Sequence, residues 1–302
     1  MTDRFADPAV TVVIPHYGDA EPTQALVKAL LNQEGAGVLQ LVVVDDCSPL
    51  PFPETEGVTL VRRQVNGGFG TAVNSGAALA DHSLILILNS DLEIGPGFVS
   101  DLVHAAAPWQ PAVVSPQVVG HNGKPQWVGR HFPTIRHQVT EWLTPLARWR
   151  HLPLLHEAVG HDTRCRDGAM VPVDWVVGAA MLIPRDEFRV VGGFDEGFFM
   201  NSEEVDLQRR LREHGIPSVF AGTVCVRHEG GGSSDPDRRR QWLVKSRMRY
   251  AEKWGNPQVL RLALRMASAI NFGFNLVRQA AGRDVNALKN FRRELSYLRV
   301  EG

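Results

Sequence analysis

Leu84-Ile85-Leu86-Ile87-Leu88 runs straight into Asn89-Ser90-Asp91, and the reading of this junction decides the fold. Five large aliphatic residues bounded by polar ones read as a strand buried on both faces, the pattern of a parallel sheet covered by helices. Open α/β sheets bind ligands just beyond the carboxyl ends of such strands. An amide there, with a carboxylate two residues later, suits a hard cation and the diphosphate it carries. The same three residues also favour an ordinary turn, so the choice rests on the segments around them.

Working outward, Val10-Thr11-Val12-Val13-Ile14-Pro15 reads as a first strand, followed by helical spacing of Ala25, Leu26, Ala29 and Leu30 within 22–32. Leu41-Val42-Val43-Val44 is a second buried strand ending in Asp45-Asp46-Cys47-Ser48-Pro49, and 58–61 a short third. Asn66-Gly67-Gly68-Phe69-Gly70 opens a small-residue helix over 71–80. Strands alternating with helices predict a parallel, doubly wound sheet. Between 120 and 173 the periodicity fades among many Pro, His, Arg and Trp residues, which predicts long loops and short helices of the kind that set specificity. Order returns with a strand at 178–183, a helix at 203–214 closed by Gly215, and short strands at 219–220 and 224–226. From 237 to 299 the chain reads as mainly helical, broken near Gly255-Asn256-Pro257 and Gly282.

The chain has 302 residues, 44% apolar and 22% charged, which is ordinary for a globular protein. Its three cysteines, Cys47, Cys165 and Cys225, have no metal-ligand spacing, and point to a reduced, cytoplasmic setting rather than a disulfide scaffold. No apolar stretch is long enough to span a bilayer. The net charge of −1 hides an asymmetry: Arg238 to Val300 carries 15 Lys/Arg against 3 Asp/Glu. A basic helical tail suits either an anionic membrane surface or the acidic body of a second subunit. It has no recognisable nucleic-acid reading motif.

Four segments carry chemistry. Asp45 and Asp46 sit where an acid accepts hydrogen bonds from a ribose or a base N–H, or else makes an Asx turn into Ser48-Pro49. The Asn66–Gly70 glycines let a backbone approach phosphate at a helix N-terminus. They are not a dinucleotide fingerprint, because position 73 is Val and the glycines follow the wrong strand. Glu203-Glu204-Val205-Asp206 opens a helix; Asn201 with Glu204 has capping-box spacing, yet three acids in four residues exceed what a cap requires, and neighbouring carboxylates raise one another's pKa, as suits a general base. His228 ends a strand and precedes Glu229-Gly230-Gly231-Gly232, where it can complete a metal site with Asp91 and the glycines can form a lid.

These segments, in this order, resemble glycosyltransferase family 2, an inverting family of GT-A fold. The resemblance covers roughly residues 10 to 230. It is carried by Val12–Tyr17, Val43–Ser48, Asn66–Asn74, Asn89-Ser90-Asp91, and Gly192-Gly193-Phe194-Asp195-Glu196 leading to Glu203–Asp206. Asn rather than Asp at position 89 is similar to the rhamnosyltransferase-like branch. The resemblance implies an α/β fold with a Rossmann-like, mostly parallel central sheet flanked by helices. A catalytic domain over 1–235 would bind the nucleotide sugar through about 10–118 and the acceptor through about 119–235, with a basic helical extension over 236–302. Asp46 would contact the base, with Pro15, His16 and Tyr17 lining its pocket. Asp45, Asn66, Gly68, Asn74, Asn89 and Ser90 would complete the donor site. Asp91 would hold Mg²⁺ or Mn²⁺ with His228 as a further ligand, and Glu204 falls where the family has its Asp base, with Glu203 the alternative. Asp206 would hold the helix or a neighbouring Arg. The implied partners are a dTDP- or UDP-sugar donor, with rhamnose the sugar the resembled branch would favour, and a glycan or lipid-linked saccharide acceptor. Peripheral contact with the inner face of the cell membrane, or a homo-oligomer, would run through the C-terminal helices. A nucleotidyltransferase would want a Gly-rich basic loop straight after the first strand, which Pro15-His16-Tyr17 does not supply. A saccharide-binding or scaffolding relative that lost catalysis remains the other class.

Overall fold

The computed structural model describes residues 9–149, 151–228 and 235–299. The proposed lid at 230–232 lies outside them. In chain order the strands are β1 (Val10–His16), β2 (Leu39–Asp45), β3 (Val58–Arg62), β4 (Leu84–Leu88), β5 (Leu92–Glu93), β6 (Val113–Val119), β7 (Gly129–Arg130), β8 (Met170–Val173), β9 (Trp175–Val176), β10 (Ala180–Pro184) and β11 (Ser218–His228). The helices are α1 (Ala20–Leu31), α2 (Phe69–Ala77), α3 (Phe98–Ala106), α4 (Ile135–Trp142), α5 (Pro153–Ala158), α6 (Arg185–Val190), α7 (Glu203–Glu213), α8 (Pro236–Trp254), α9 (Pro257–Ala280) and α10 (Ala287–Tyr297).

The chain divides into two compact units, 1–130 with 164–233, and 131–163 with 234–302. The first is built on a mixed sheet of order β3-β2-β1-β4-β10-β6-β11-β5, with β8 on the outer side of β11. β3, β2, β1 and β4 are parallel, and β11 runs parallel to β6. β10 is inserted antiparallel between β4 and β6, pairing Ala180 with Leu88 and Pro184 with Leu84. Six strands therefore share one direction and end on one edge. All five residues of β4 are at most 1% exposed, each side chain contributing about 1.5–3 kcal/mol by its burial.

The small residues of α2 have a packing reason. A Cβ on Gly76 would lie 2.6 Å from Val13 and 2.9 Å from Val44, so the helix lies against β1 and β2 closer than a side chain permits. α1 starts earlier than the apolar spacing indicates, at Ala20, because Asp19 caps it by accepting the Glu21 N–H at 3.1 Å. The two short strands read at 219–220 and 224–226 are one strand, β11, whose register slips between Ala221 and Cys225.

The second unit is helical. Its core gathers Trp142, Val244, Met248, Leu260, Leu264 and Leu298. Trp142 donates its indole N–H to Ser268 (2.9 Å) while the Arg240 guanidinium stacks 4.3 Å over its ring. With it, the Thr144 N–H donates to Asn271 (2.8 Å) and Glu141 pairs with Arg247, which ties residues 131–163 to the C-terminal helices. α9 buries Leu260, Leu264, Ala267, Ser268, Asn271 and Asn275, but also leaves Val259, Leu262, Met266, Ile270 and Val277 between 47% and 69% exposed. It therefore carries a second, uncovered apolar face. Among the described residues no helix is long and apolar enough to cross a membrane.

Candidate active site

The ends of β1 and β2 are tied together before any ligand is considered. Asp46 N–H donates to the His16 carbonyl (2.9 Å), and Gly18 N–H to Ser48 Oγ (3.0 Å). The two adjacent aspartates have different work. Asp45 is fully buried; it accepts from the N–H groups of Ser48 and Phe52, both at 2.8 Å, and pairs with Arg62. Burial alone would raise its pKa, but these hydrogen bonds overcome that and hold it low. The Asx-turn alternative thus describes Asp45, which builds the turn rather than facing a ligand. Asp46 accepts from Arg63 Nε (2.7 Å) and from the N–H groups of Gly67 (3.1 Å) and Gly68 (2.8 Å). Arg63 also donates to the Thr71 carbonyl (3.2 Å) and to Ser75. One aspartate and one arginine therefore fix the glycine turn to the end of β2.

His16 is likewise enclosed. Its Nδ1 lies 2.8 Å from Thr23 Oγ1, its ring meets Phe52 edge-on at 5.0 Å, and burial keeps its pKa low. Of the Pro15–Tyr17 segment, Pro15 is half-buried and Tyr17 is 52% exposed, so Tyr17 is the side chain that reaches the edge.

At the end of β4 the expected metal pair comes together. Asp91 Oδ1 lies 3.1 Å from His228 Nε2, and Asn89 Nδ2 lies 3.5 Å from the same nitrogen. Gln126 clamps the histidine from behind: its Nε2 donates to the His228 carbonyl (3.4 Å), which turns its Oε1 toward His228 Nδ1 at 2.9 Å. That arrangement requires the ring proton on Nδ1. His228 Nε2 then faces the Asp91 carboxylate at 3.1 Å, an approach that a ring proton or a shared cation between the two satisfies. The donor set, one carboxylate, one imidazole and a nearby amide, fits a divalent ion.

The start of α7 is strained. Asn201 and Ser202 both adopt left-handed backbone, at φ 70° and 68°, and neither side chain caps the helix. Such residues cost about 1–3 kcal/mol each and cluster at functional sites. The capping-box alternative for Glu204 therefore does not hold. Instead Glu203 Oε2 and Glu204 Oε2 are both buried without a hydrogen-bond partner. Burial, then the charge of Glu204, pushes Glu203 well up; burial also raises Glu204, partly offset by backbone hydrogen bonds and the charge of Arg130. Glu203 is only 3% exposed, while Glu204 is half-buried and packs its Cβ 3.6 Å from the position a Cβ on Gly178 would take. Next to Gly178, the Ala179 carbonyl accepts the Asn89 N–H at 2.8 Å. Glu204 is thus the acid beside the end of β4. Asp206, fully buried, pairs with Arg210 (2.9 Å).

Asn74 is a bracket. Its Oδ1 accepts the Phe194 N–H (2.9 Å) and its Nδ2 donates to the Phe194 carbonyl (2.9 Å) and to Glu196 (3.1 Å). Asn66 Oδ1 accepts a longer bond from Gly68 N–H (3.2 Å), and Ser90 is half-buried beside Asn89. Sequence reasoning missed Arg62, Arg63, Gln126 and Arg130. The first had a signal: parallel register sets Arg62 beside Asp45. Gln126 had none, because it comes from a loop after β6. A groove of about 580 Å³ bordered by Gln40, Asp81 and Arg185 lies at the opposite, amino edge of β2 and β4, away from this chemistry.

Residues 11–154 match the family model described as glycosyl transferase family 2. A Mycobacterium tuberculosis N-acetylglucosaminyl-diphospho-decaprenol L-rhamnosyltransferase is 30% identical over 193 residues, covering 60% of this chain and 61% of the relative. The chain thus spans about three-fifths of the length of that relative. The Escherichia coli rhamnosyltransferase WbbL is 37% identical over 83 residues, 26% of this chain and 30% of that one. Among solved structures, GalNAc-T7 with UDP, GalNAc and Mn²⁺ aligns with 96% of this chain and 55% of its own at a TM-score of 0.54 and 15% identity, a likeness of fold. With that sheet, that strand-end site and these relatives, residues 11–154 carry a glycosyltransferase family 2 domain, similar to the rhamnosyltransferases named above, in a chain of GT-A fold.

Proposed function

We propose that the chain transfers a sugar, with rhamnose the leading candidate, from a dTDP- or UDP-linked donor to a hydroxyl of a glycan or lipid-linked saccharide, inverting the anomeric carbon. The observation that carries this reading is the 3.1 Å approach of Asp91 Oδ1 to His228 Nε2 at the end of β4. The names of the Mycobacterium tuberculosis and Escherichia coli relatives support the sugar, and the former supports a lipid-diphosphate acceptor. Asp91 and His228 would hold Mg²⁺ or Mn²⁺, which when bound offsets charge on the leaving diphosphate. The Gly67–Gly68 turn and the start of α2 would receive the nucleotide side of the donor, with Asp46 and Arg63 fixing the turn and Tyr17 at the rim. Glu204 takes the proton of the acceptor hydroxyl as its oxygen bonds to the anomeric carbon. The bond from that carbon to the diphosphate oxygen breaks, and the nucleoside diphosphate leaves with the electron pair.

Calorimetric titration of dTDP-, UDP- and GDP-sugars, with and without Mn²⁺, tests this. One donor should bind metal-dependently, and Asp91→Asn should abolish that dependence. Gln126→Leu, which touches only the back of His228, should weaken Mn²⁺ about 10–100-fold. If folded protein with metal binds no donor, the saccharide-binding or scaffolding alternative takes its place.

The uncovered apolar face of α9, with Arg265 and Arg278 on the same helix, is proposed to rest on the inner face of an anionic membrane, where a lipid-linked acceptor would be found. The wild-type chain should sediment with anionic vesicles, and Leu262→Glu with Met266→Glu should not. If the double variant instead only halves a dimer's mass by light scattering, that face joins two copies.

A further inference from the structure

The second unit holds a cluster that the transfer reaction does not use. Five of the chain's 11 histidines fall between 131 and 161, and a His-acid pair occurs twice at five-residue spacing, His156-Glu157 and His161-Asp162. In the fold, His131, Glu157 and Asp162 converge: one ligand atom from each lies within 4.8 Å of the others. The arrangement is supported from behind. Glu157 Oε1 accepts the Thr163 N–H (2.7 Å) and the Thr163 hydroxyl (2.5 Å), which leaves Oε2 directed at His131 Nε2, 2.9 Å away. His131 N–H donates to the Gly160 carbonyl (2.9 Å), and Gly160 takes a left-handed φ of 90° to make that turn. Asp162 is 1% exposed.

We propose that His131, Glu157 and Asp162 form a binding site for a transition-metal ion of the zinc class. Two carboxylates brought this close repel each other unless a cation or proton is shared, and an imidazole among them favours zinc over magnesium or calcium. Zinc bonds of about 2.0–2.2 Å place tetrahedral ligands about 3.4 Å apart, within the range of separations seen here, so closure requires only small movements of the half-exposed Glu157. Three protein ligands leave a fourth position for water. The ion would clip His131, ahead of α4, to Glu157 in α5 and Asp162 beyond it, closing the 131–163 excursion on itself.

The test uses the full chain carrying Asp91→Asn, so that metal at the transfer site does not contribute and failure of one reading is separable from failure of the other. Zinc content after dialysis, the visible spectrum with Co²⁺, and thermal unfolding with and without Zn²⁺ are read together. One equivalent of zinc is expected, with Co²⁺ absorption bands and a higher Tm in zinc. Adding Glu157→Gln, an isosteric change at a partly exposed side chain, should lower zinc affinity at least tenfold and abolish the Tm rise; Thr163→Val should weaken binding about 10-fold without removing a ligand. No retained zinc in the Asp91→Asn chain, or affinity unchanged by Glu157→Gln, overturns the proposal.

Discussion

Replacing Glu204 with Gln is expected to lower turnover about 10²–10⁴-fold, the range over which positioned proton acceptors act, while donor affinity holds. The amide keeps the shape of the side chain and loses only its basicity. Wild-type kcat should rise with pH as Glu204 ionises, with the limb displaced above the ordinary glutamate range because burial disfavours the charged form. That limb should vanish in Glu204→Gln. Glu203→Gln should behave differently. Burial and the charge of Glu204 keep Glu203 protonated at pH values where an unfolded chain has released the proton. The native state then binds more protons than the unfolded state, so stability falls as pH rises from about 4.3 through the raised native value. Glu203→Gln removes that slope. It should match wild type in acid, exceed its Tm near neutrality, and keep its turnover. Turnover lost in Glu203→Gln and kept in Glu204→Gln would reverse the assignment of the base.

The parallel half of the sheet was legible because its strands are buried on both faces, which leaves unbroken aliphatic runs such as Leu84–Leu88. The antiparallel insertion of β10 was not, since Ala180–Pro184 is equally apolar and nothing in a short buried run encodes direction. β11 reads as two strands in the sequence because its register slip at Ala221–Cys225 breaks the alternation while the strand continues. The 131–163 excursion has no periodicity, and its attachment to the C-terminal helices runs through scattered residues, Glu141, Trp142 and Thr144.

The site divides along a similar line. Asp91 and His228 were legible because one lies in the turn after β4 and the other ends β11, and such positions on one edge of a sheet meet. The role of a strand-end aspartate was less so. Asp45 and Asp46 are chemically identical and adjacent, and the alternation of a strand sends one into the turn and the other toward the glycine loop. His16 and Asn74 carry polar groups that the fold spends on Thr23 and on Phe194. Gln126 and Arg130 come from the segment without pattern, yet one holds the His228 ring in place and the other offsets burial at Glu204.

The donor turn and the base are coupled through a single glycine, and Gly68→Ala should lose both. Gly68 has φ 85° and ψ 179°, a region essentially confined to glycine and costing about 1–3 kcal/mol for another residue. A Cβ there would also stand 1.8 Å from the Phe199 carbonyl oxygen, backbone that cannot swing aside as a side chain does. Relief requires moving either the turn, which withdraws the Gly68 N–H from Asp46, or Phe199, which precedes the strained Asn201-Ser202 pair that aims Glu203 and Glu204. Donor affinity, turnover and Tm should therefore fall together, with unfolding free energy lower by about 2–4 kcal/mol. Gly18→Ala separates strain from collision: Gly18 also has a positive φ, 100°, but nothing lies within 4 Å of its Cβ position. It should lose stability alone. A Gly68→Ala chain that loses stability but keeps wild-type turnover and donor affinity would show that the turn and the base loop move independently, and the coupling between them would have to be abandoned.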